Sequence, residues 1–228
     1  MEWPASLKVI VLASSLMLPV MTSTAFAQSS EDAQRMVMVE LEKASSAAAA
    51  GKMRELLYDP GTPVLGNPDG NVSIVEFFDY QCAYCKAAET RLRKLAKEDG
   101  NIRLVIKDFP ILSPESRVAA RAALASRKQG KYEAFHHAMM DHRGQLQTET
   151  IFNIAKSVGL NIDQLRKDMD APEIADQIIS NFNLARSLKV SVTPGFFVDT
   201  RVLSGVSVLT STASIDFGEE VAKARAAK

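Results

Sequence analysis

Glu76-Phe77-Phe78-Asp79-Tyr80-Gln81-Cys82-Ala83-Tyr84-Cys85-Lys86 carries the only two cysteines of a 228-residue chain. Ala83 and Tyr84 separate them at the point where an apolar strand pattern gives way to a helical one. A thiol at a helix N-terminus faces backbone N–H groups without intrahelical acceptors and the positive end of the helix dipole. Both favour the thiolate. Thiolate is the form that attacks disulfides, so the position makes this pair a candidate redox centre.

Upstream, Val72–Phe78 is apolar on both alternating faces except at Ser73 and Glu76, which predicts a central strand buried on both sides. Downstream, Ala88, Leu92, Leu95 and Ala96 recur at helical spacing, and Gly100 supplies the stop. Ile102–Phe109 alternates as a second strand and Pro110 ends it. The result is a βαβ unit with both cysteines at the C-terminal edge of its first strand, where sites of open α/β sheets gather. Ser113-Pro114-Glu115 has the cap, proline and acid of a helix start. Helical patterns follow near Lys131–His142, Glu149–Val158, Ile162–Asp168 and Glu173–Leu188. Val190–Gly195 breaks the pattern, Phe196–Val198 and Arg201–Leu203 predict a short hairpin, and Ile215–Ala226 a closing helix.

At the other end, Lys8, an apolar run from Val9 to Met21 and Ala25-Phe26-Ala27 have the order of a secretory signal, predicting cleavage before Gln28. Glu2 offsets Lys8, and Ser14, Ser15 and Pro19 interrupt the run. It falls short of the ~20 apolar residues of a spanning helix. Export would place the chain in the periplasm, where a dithiol can cycle. Formal net charge is zero with 27 basic and 27 acidic residues, which argues against nucleic acid as a partner. Residues 28–62 read as a helical arm, Ala-rich at 47–50 and interrupted or ended near Gly51, preceding the compact domain. Residues 30–58 form no sustained heptad; they are either a homo-oligomerisation segment or a packed spacer.

With this layout the chain resembles the DsbA-type thiol:disulfide oxidoreductases, and in its helical extension the ScsC-like subgroup. The motifs are Glu-Phe-Phe-Asp-Tyr-x-Cys-x-x-Cys, Lys-Asp-Phe-Pro after the second strand, the helical block, and Val-x-Thr-Pro before the hairpin. The resemblance implies an α/β thioredoxin fold over 63–228 with an all-helical insertion at about 113–188. It also implies disulfide exchange with protein substrates, recycling by a membrane redox partner, and no cofactor.

Within that resemblance Cys82, nearest the helix start, is the attacking thiolate and Cys85 resolves the mixed disulfide. A structural staple is the bland alternative, but a four-residue ring contributes only ~1.9 kcal/mol in the chain-entropy model. Zinc is the other, and His137 and His142 lie too far along the chain from the cysteines for the usual short spacing. Ala83 and Tyr84 tune the pair; a neutral Tyr beside the thiolate predicts a less oxidising disulfide than a His would. Glu76, on a strand buried on both faces, must be protonated, paired or functional, unless its face meets solvent. It matches the family's buried acid, with Lys107 on the neighbouring strand as expected counter-charge. Thr193-Pro194 resembles the family's cis-proline loop, whose backbone pairs with extended substrate, against an ordinary trans proline. Gly195 departs from the more usual Thr or Ala. His136, His137 and His142, beside Met139 and Met140, read as a surface face with a core edge rather than a copper site, and no metal site is assigned.

The expected activity is disulfide exchange, with isomerase or reductase direction edging ahead of net oxidation on the arm, Thr193 and Tyr84. Two alternatives stand beside it: a DsbA-like dithiol oxidase, and a periplasmic copper-handling protein binding Cu(I) through its cysteines.

Overall fold

A computed structural model describes residues 23–204 and 215–228, so the signal run at Val9–Met21 lies outside the described residues. The elements are α1 (Ser23–Gly51), α2 (Met53–Leu57), β1 (Val64–Gly66), β2 (Val72–Phe78), α3 (Ala83–Asp99), β3 (Ile102–Asp108), α4 (Pro114–Ser126), α5 (Tyr132–Asp141), α6 (Thr148–Ser157), α7 (Ile162–Met169), α8 (Pro172–Ser187), β4 (Gly195–Val198), β5 (Arg201–Ser204) and α9 (Phe217–Ala226). The five strands form one mixed sheet in the order β1-β3-β2-β4-β5. Among the described residues, only β2 and β3 run parallel. The other neighbours are antiparallel. This is a thioredoxin-like sheet with an inserted helical block between β3 and β4, as expected from the sequence.

β2 is the centre, and all seven of its residues are buried. Side chains alternate across a strand, so Ile74 and Phe78 face one layer and Val75 and Phe77 the other. The first layer contains Leu92 of α3, Ala119, Ala120 and Ala122 to Ala125 of α4, Phe135 of α5 and Phe217 of α9. Ser113 begins α4 with a capping box closed by Ser116, and Pro114 takes the first helical turn, as its sequence predicts.

The second layer includes residues from the expected arm. Ala49, Leu56 and Leu57 are buried with Val75, Phe77, Val105, Phe197 and the α8 residues Leu184 and Ala185. Polar bonds fasten the same stretch: Ser45 donates to the Leu188 carbonyl at 2.6 Å, and the Val202 N–H donates to Ser46 at 3.1 Å. The chain divides into a unit ending at Val37 and a compact unit from Met38 to Lys228. The part of the arm from Met38 onward therefore belongs to the domain, because β2 and β4 would otherwise leave an apolar face uncovered.

β1 was not anticipated. It pairs Val64 with Val105 and Leu65 with Leu104 at the sheet edge. Gly66 then turns with φ 69°, where an added Cβ would meet the Ile102 carbonyl oxygen at 2.7 Å.

Candidate active site

Cys82 is the residue before α3, in the extended conformation of a helix N-cap (φ −77°, ψ 115°). Its sulfur accepts the backbone N–H of Cys85 at 3.4 Å, a bond a serine cap would make with oxygen. As a thiol it also donates to the Thr193 carbonyl, 3.4 Å away. The Cys85 thiol, followed by the Thr193 side chain and the backbone N–H groups of Cys85 and Tyr84, holds the Cys82 pKa down to about 6 against the opposing effect of burial. One turn in, Cys85 is completely buried, and burial, then its bond to Cys82 and the Glu76 charge, push its thiol well up. The pair thus divides into one sulfur that ionises readily and one that keeps its proton.

Ala83 and Tyr84 are exposed, Tyr84 with 67% of its surface free. The tuning contribution of Tyr84 comes through its backbone N–H.

Glu76 is buried on the layer that contains α3, and its Oε1 has no hydrogen-bond partner. Burial first, then the charges of Glu89 and Cys82, raise its pKa well above the carboxylate range, while a hydrogen bond with Cys85 pulls the other way. Lys107 is not its counter-charge. The β2–β3 register pairs Glu76 with Ile106 and Phe77 with Lys107, so the two side chains point to opposite faces of the sheet. The Lys107 ammonium instead donates to Thr62 Oγ1 at 2.7 Å and the Glu55 carbonyl at 2.8 Å, and lies 3.3 Å from Asp59 Oδ2. It fastens the segment before β1 to the sheet.

The Thr193–Pro194 peptide is cis. β4 begins directly after it and pairs Gly195 with Phe77, which brings the loop to the same sheet edge as Cys82. Three residues that frame the dithiol were not singled out from the sequence. Asp79 is buried and accepts the Gln81 N–H at 2.8 Å and the Leu112 N–H at 2.9 Å, joining the turn before Cys82 to the loop after β3. An Asp accepting from the N–H two residues on is ordinary turn chemistry, so half of this bond was legible. Gln81 exchanges two bonds with the Leu146 backbone, at 2.9 and 3.0 Å, and Lys86 donates to the His142 carbonyl at 2.9 Å. The loop between α5 and α6 is thereby docked beside the cysteines.

The histidines depart from the expected surface face. His136 is buried, with Nδ1 2.9 Å from the Tyr80 hydroxyl, and Met139 and Met140 are buried as well. His137 is about four-fifths covered and its Nδ1 lies 2.8 Å from Glu89 Oε1. His142 follows the last turn of α5.

Chemically, an N-cap thiolate backed by a buried thiol and a buried carboxyl can cycle between dithiol and disulfide. Comparisons with known proteins agree with that geometry. The model of the DSBA-like thioredoxin domain matches residues 73–214. A thioredoxin-like oxidoreductase from Silicibacter pomeroyi superposes with a TM-score of 0.71 at 43% identity, over 77% of this chain and 98% of that one. The thiol-disulfide exchange protein α-DsbA2 from Wolbachia pipientis gives 0.70 at 28% identity, over 80% and 97%. The catalytic domain of Proteus mirabilis ScsC shares the fold, with a TM-score of 0.68 at 24% identity, over 80% and 99%. Among curated relatives, the Na(+)/H(+) antiporter NhaA 1 of Salinispora arenicola is 33% identical over 140 residues, 60% of this chain. The chain spans 22% of that antiporter's length.

Proposed function

Since the chain belongs to the family of DSBA-like thioredoxin domains, we propose that it is a thiol:disulfide oxidoreductase acting on protein substrates through Cys82 and Cys85. The observation that carries this reading is the placement of the two sulfurs: Cys82 caps α3 with its Sγ accepting the Cys85 N–H, while Cys85 is fully buried one turn in, which favours thiolate at the first and thiol at the second.

In the proposed cycle the Cys82 thiolate attacks a substrate disulfide. A mixed disulfide forms between Cys82 and one substrate sulfur, and the other substrate sulfur leaves as a thiolate. Two outcomes follow. The released thiolate can attack elsewhere in the substrate before another substrate thiolate regenerates Cys82, which is isomerisation. Alternatively Cys85 gives its proton to an ionised Glu76 and attacks Cys82, leaving the enzyme oxidised and the substrate reduced. Glu76 suits the role because its affinity for a proton is raised in the same apolar layer that holds Cys85. Thr193 and Pro194 are proposed as the backbone edge along which extended substrate lies, with the Thr193 carbonyl already 3.4 Å from the reacting sulfur.

The isomerase or reductase direction is favoured over net oxidation. Nothing charged from Tyr84 stabilises the Cys82 thiolate, and a moderately stabilised thiolate goes with a moderately oxidising disulfide. The exposed Met36, Val37 and Val39 of α1 support a homo-oligomer formed through the arm, which would enclose a shared cleft for misbridged substrates. The N-terminal apolar run supports a periplasmic location, with recycling by a membrane redox partner.

Reactivation of a scrambled-disulfide protein in mildly reducing glutathione tests the direction. The full mature chain is compared with one starting at Met38, which keeps the buried stretch of α1 and α2. Reactivation by the full chain, lost in the shorter one, is the expected result. Oxidation of a reduced substrate by both, without reactivation by either, would make the protein a net oxidase. Tight Cu(I) binding with no exchange at all would overturn the enzyme reading.

A further inference from the structure

Away from the dithiol, α3 and α5 bring Glu89, His136 and His137 together. Their donor atoms all lie within 4.8 Å of one another, the one such group of three among the described residues. Glu89 Oε1 is 2.8 Å from His137 Nδ1, and Glu89 Oε2 is 3.6 Å from His136 Nε2. Glu89 and His136 are each 1% exposed. Despite these approaches, both carboxylate oxygens and the two imidazole nitrogens that face them lack a hydrogen bond of acceptable geometry. The two imidazoles favour an ionised Glu89, and the poor mutual geometry of these four buried polar atoms leaves room for a further group between them.

The surroundings specify which atoms are free. The Tyr80 hydroxyl, 2.9 Å from His136 Nδ1, can accept the N–H there, and that tautomer leaves the lone pair on Nε2, which faces Glu89. Glu133 Oε1 stands 3.6 Å from His137 Nε2, on the side of the ring away from Nδ1. His136 therefore has a hydrogen-bonded outer partner on the nitrogen that does not face the carboxylate, the arrangement that orients metal-bound histidines, while His137 has only the looser Glu133 carboxylate beyond hydrogen-bond distance. His137 is also the one member that reaches solvent. It lines a cleft of about 430 Å³ with Glu133, Arg93 and Leu65, which gives an ion a way in and a fourth ligand, water, a place to sit.

We propose that Glu89, His136 and His137 bind one zinc-class divalent cation, with a fourth position open to this cleft. Two imidazoles and one carboxylate are a borderline N/O donor set that suits zinc(II), and would not favour the softer Cu(I). The bound ion would tie α3, which begins at Ala83 directly after the N-cap Cys82, to the inserted helical block. No sulfur belongs to the site, so the ion does not occupy the dithiol, although the Glu89 charge it would neutralise is one that acts on Glu76.

The test uses the full chain with Cys82 and Cys85 joined as a disulfide, so that no thiolate competes for metal. After chelator treatment the protein is titrated with zinc(II) by calorimetry and with cobalt(II) by visible absorption. The expected result is one zinc per chain and a cobalt spectrum of four- or five-coordinate intensity without sulfur charge-transfer bands. Glu89→Gln and His137→Gln should each weaken zinc binding at least 10-fold and abolish the rise in melting temperature that zinc gives the parent. His137 is partly exposed, so that variant serves if Glu89→Gln does not fold. Absence of stoichiometric binding at 10 µM chain, or binding undiminished in the variants, would overturn the proposal and leave a buried ion pair.

Discussion

The Cys82 sulfur accepts the Cys85 backbone N–H at 3.4 Å, and the Cys85 side chain is at the same time the largest influence lowering the Cys82 pKa to about 6. The second cysteine therefore stabilises the first as a thiolate before it ever resolves a mixed disulfide. Titration of the reduced chain by thiolate absorbance at 240 nm should give a midpoint near pH 6. In Cys85→Ala the backbone N–H remains and the thiol donor is gone, so the midpoint should move up toward the ordinary value of about 8.5.

The same shift has a consequence for stability. A group whose folded pKa is lowered contributes stability that is full above its unfolded value and lost as pH falls through its folded value. The reduced chain should gain stability relative to Cys82→Ser between pH 6 and about 8.5, by an amount on the order of 3 kcal/mol from the size of the shift. Urea unfolding of both under reducing conditions at a series of pH values measures this. Parallel curves would mean that the Cys82 thiolate is not preferentially held by the fold.

Glu76 carries the opposite sign. Its folded pKa is raised, so the fold loses stability as pH climbs above the unfolded value of about 4.3 and until the folded pKa is passed. Glu76→Gln removes that penalty, so the variant should be more stable than the parent at pH 8, with the advantage shrinking toward pH 5. If Glu76 moves the Cys85 proton, resolution of a trapped mixed disulfide should slow by roughly 100-fold, the low end of general acid–base contributions. Stopped-flow resolution kinetics and urea unfolding together separate the two effects.

Lys107 illustrates where the sequence stops informing. Its place on the strand next to Glu76 was legible, because Ile102–Phe109 reads as a strand ended by Pro110, and the strand observed is Ile102–Asp108. Which face it takes depends on a register that neither strand encodes by itself, and the observed pairing of Lys107 with Phe77 puts it opposite Glu76. The same kind of non-local information hid the others. β1 is three residues long, too short for any period to register. The burial of His136 rests on Tyr80, 56 residues away, and the docking of Leu56 on a sheet face assembled from β2 to β5. By contrast, the strand-to-helix turn at Cys82, the cap at Ser113 and the proline before β4 are local devices, and each stands where the residues predict it.

Lys107→Met separates the two assignments of that lysine. It removes donors to Thr62, the Glu55 carbonyl and Asp59, leaving Asp59 with the Thr62 hydroxyl, Gln177 and the Gly61 N–H. The expected cost is about 2–3 kcal/mol, less than for a fully buried pair because Asp59 is partly exposed. The Cys82 midpoint should not change. A shift in that midpoint without loss of stability would restore Lys107 to the dithiol.

The placement of Leu56 and Leu57 decides how the arm can be removed. A chain beginning at Pro63 lacks Ala49, Leu56 and Leu57, which cover Val75, Phe77 and Phe197, and lacks Asp59 and Thr62, the side-chain partners of Lys107. The two leucines alone account for about 3–6 kcal/mol of burial. That is a large share of the roughly 5–15 kcal/mol available to a domain. The Pro63 chain should therefore unfold at markedly lower urea than one beginning at Met38, which should match the full chain. Equal midpoints for the Pro63 and Met38 chains would show that α2 contributes nothing to the domain, and the arm would then begin its separate existence where its composition first placed it.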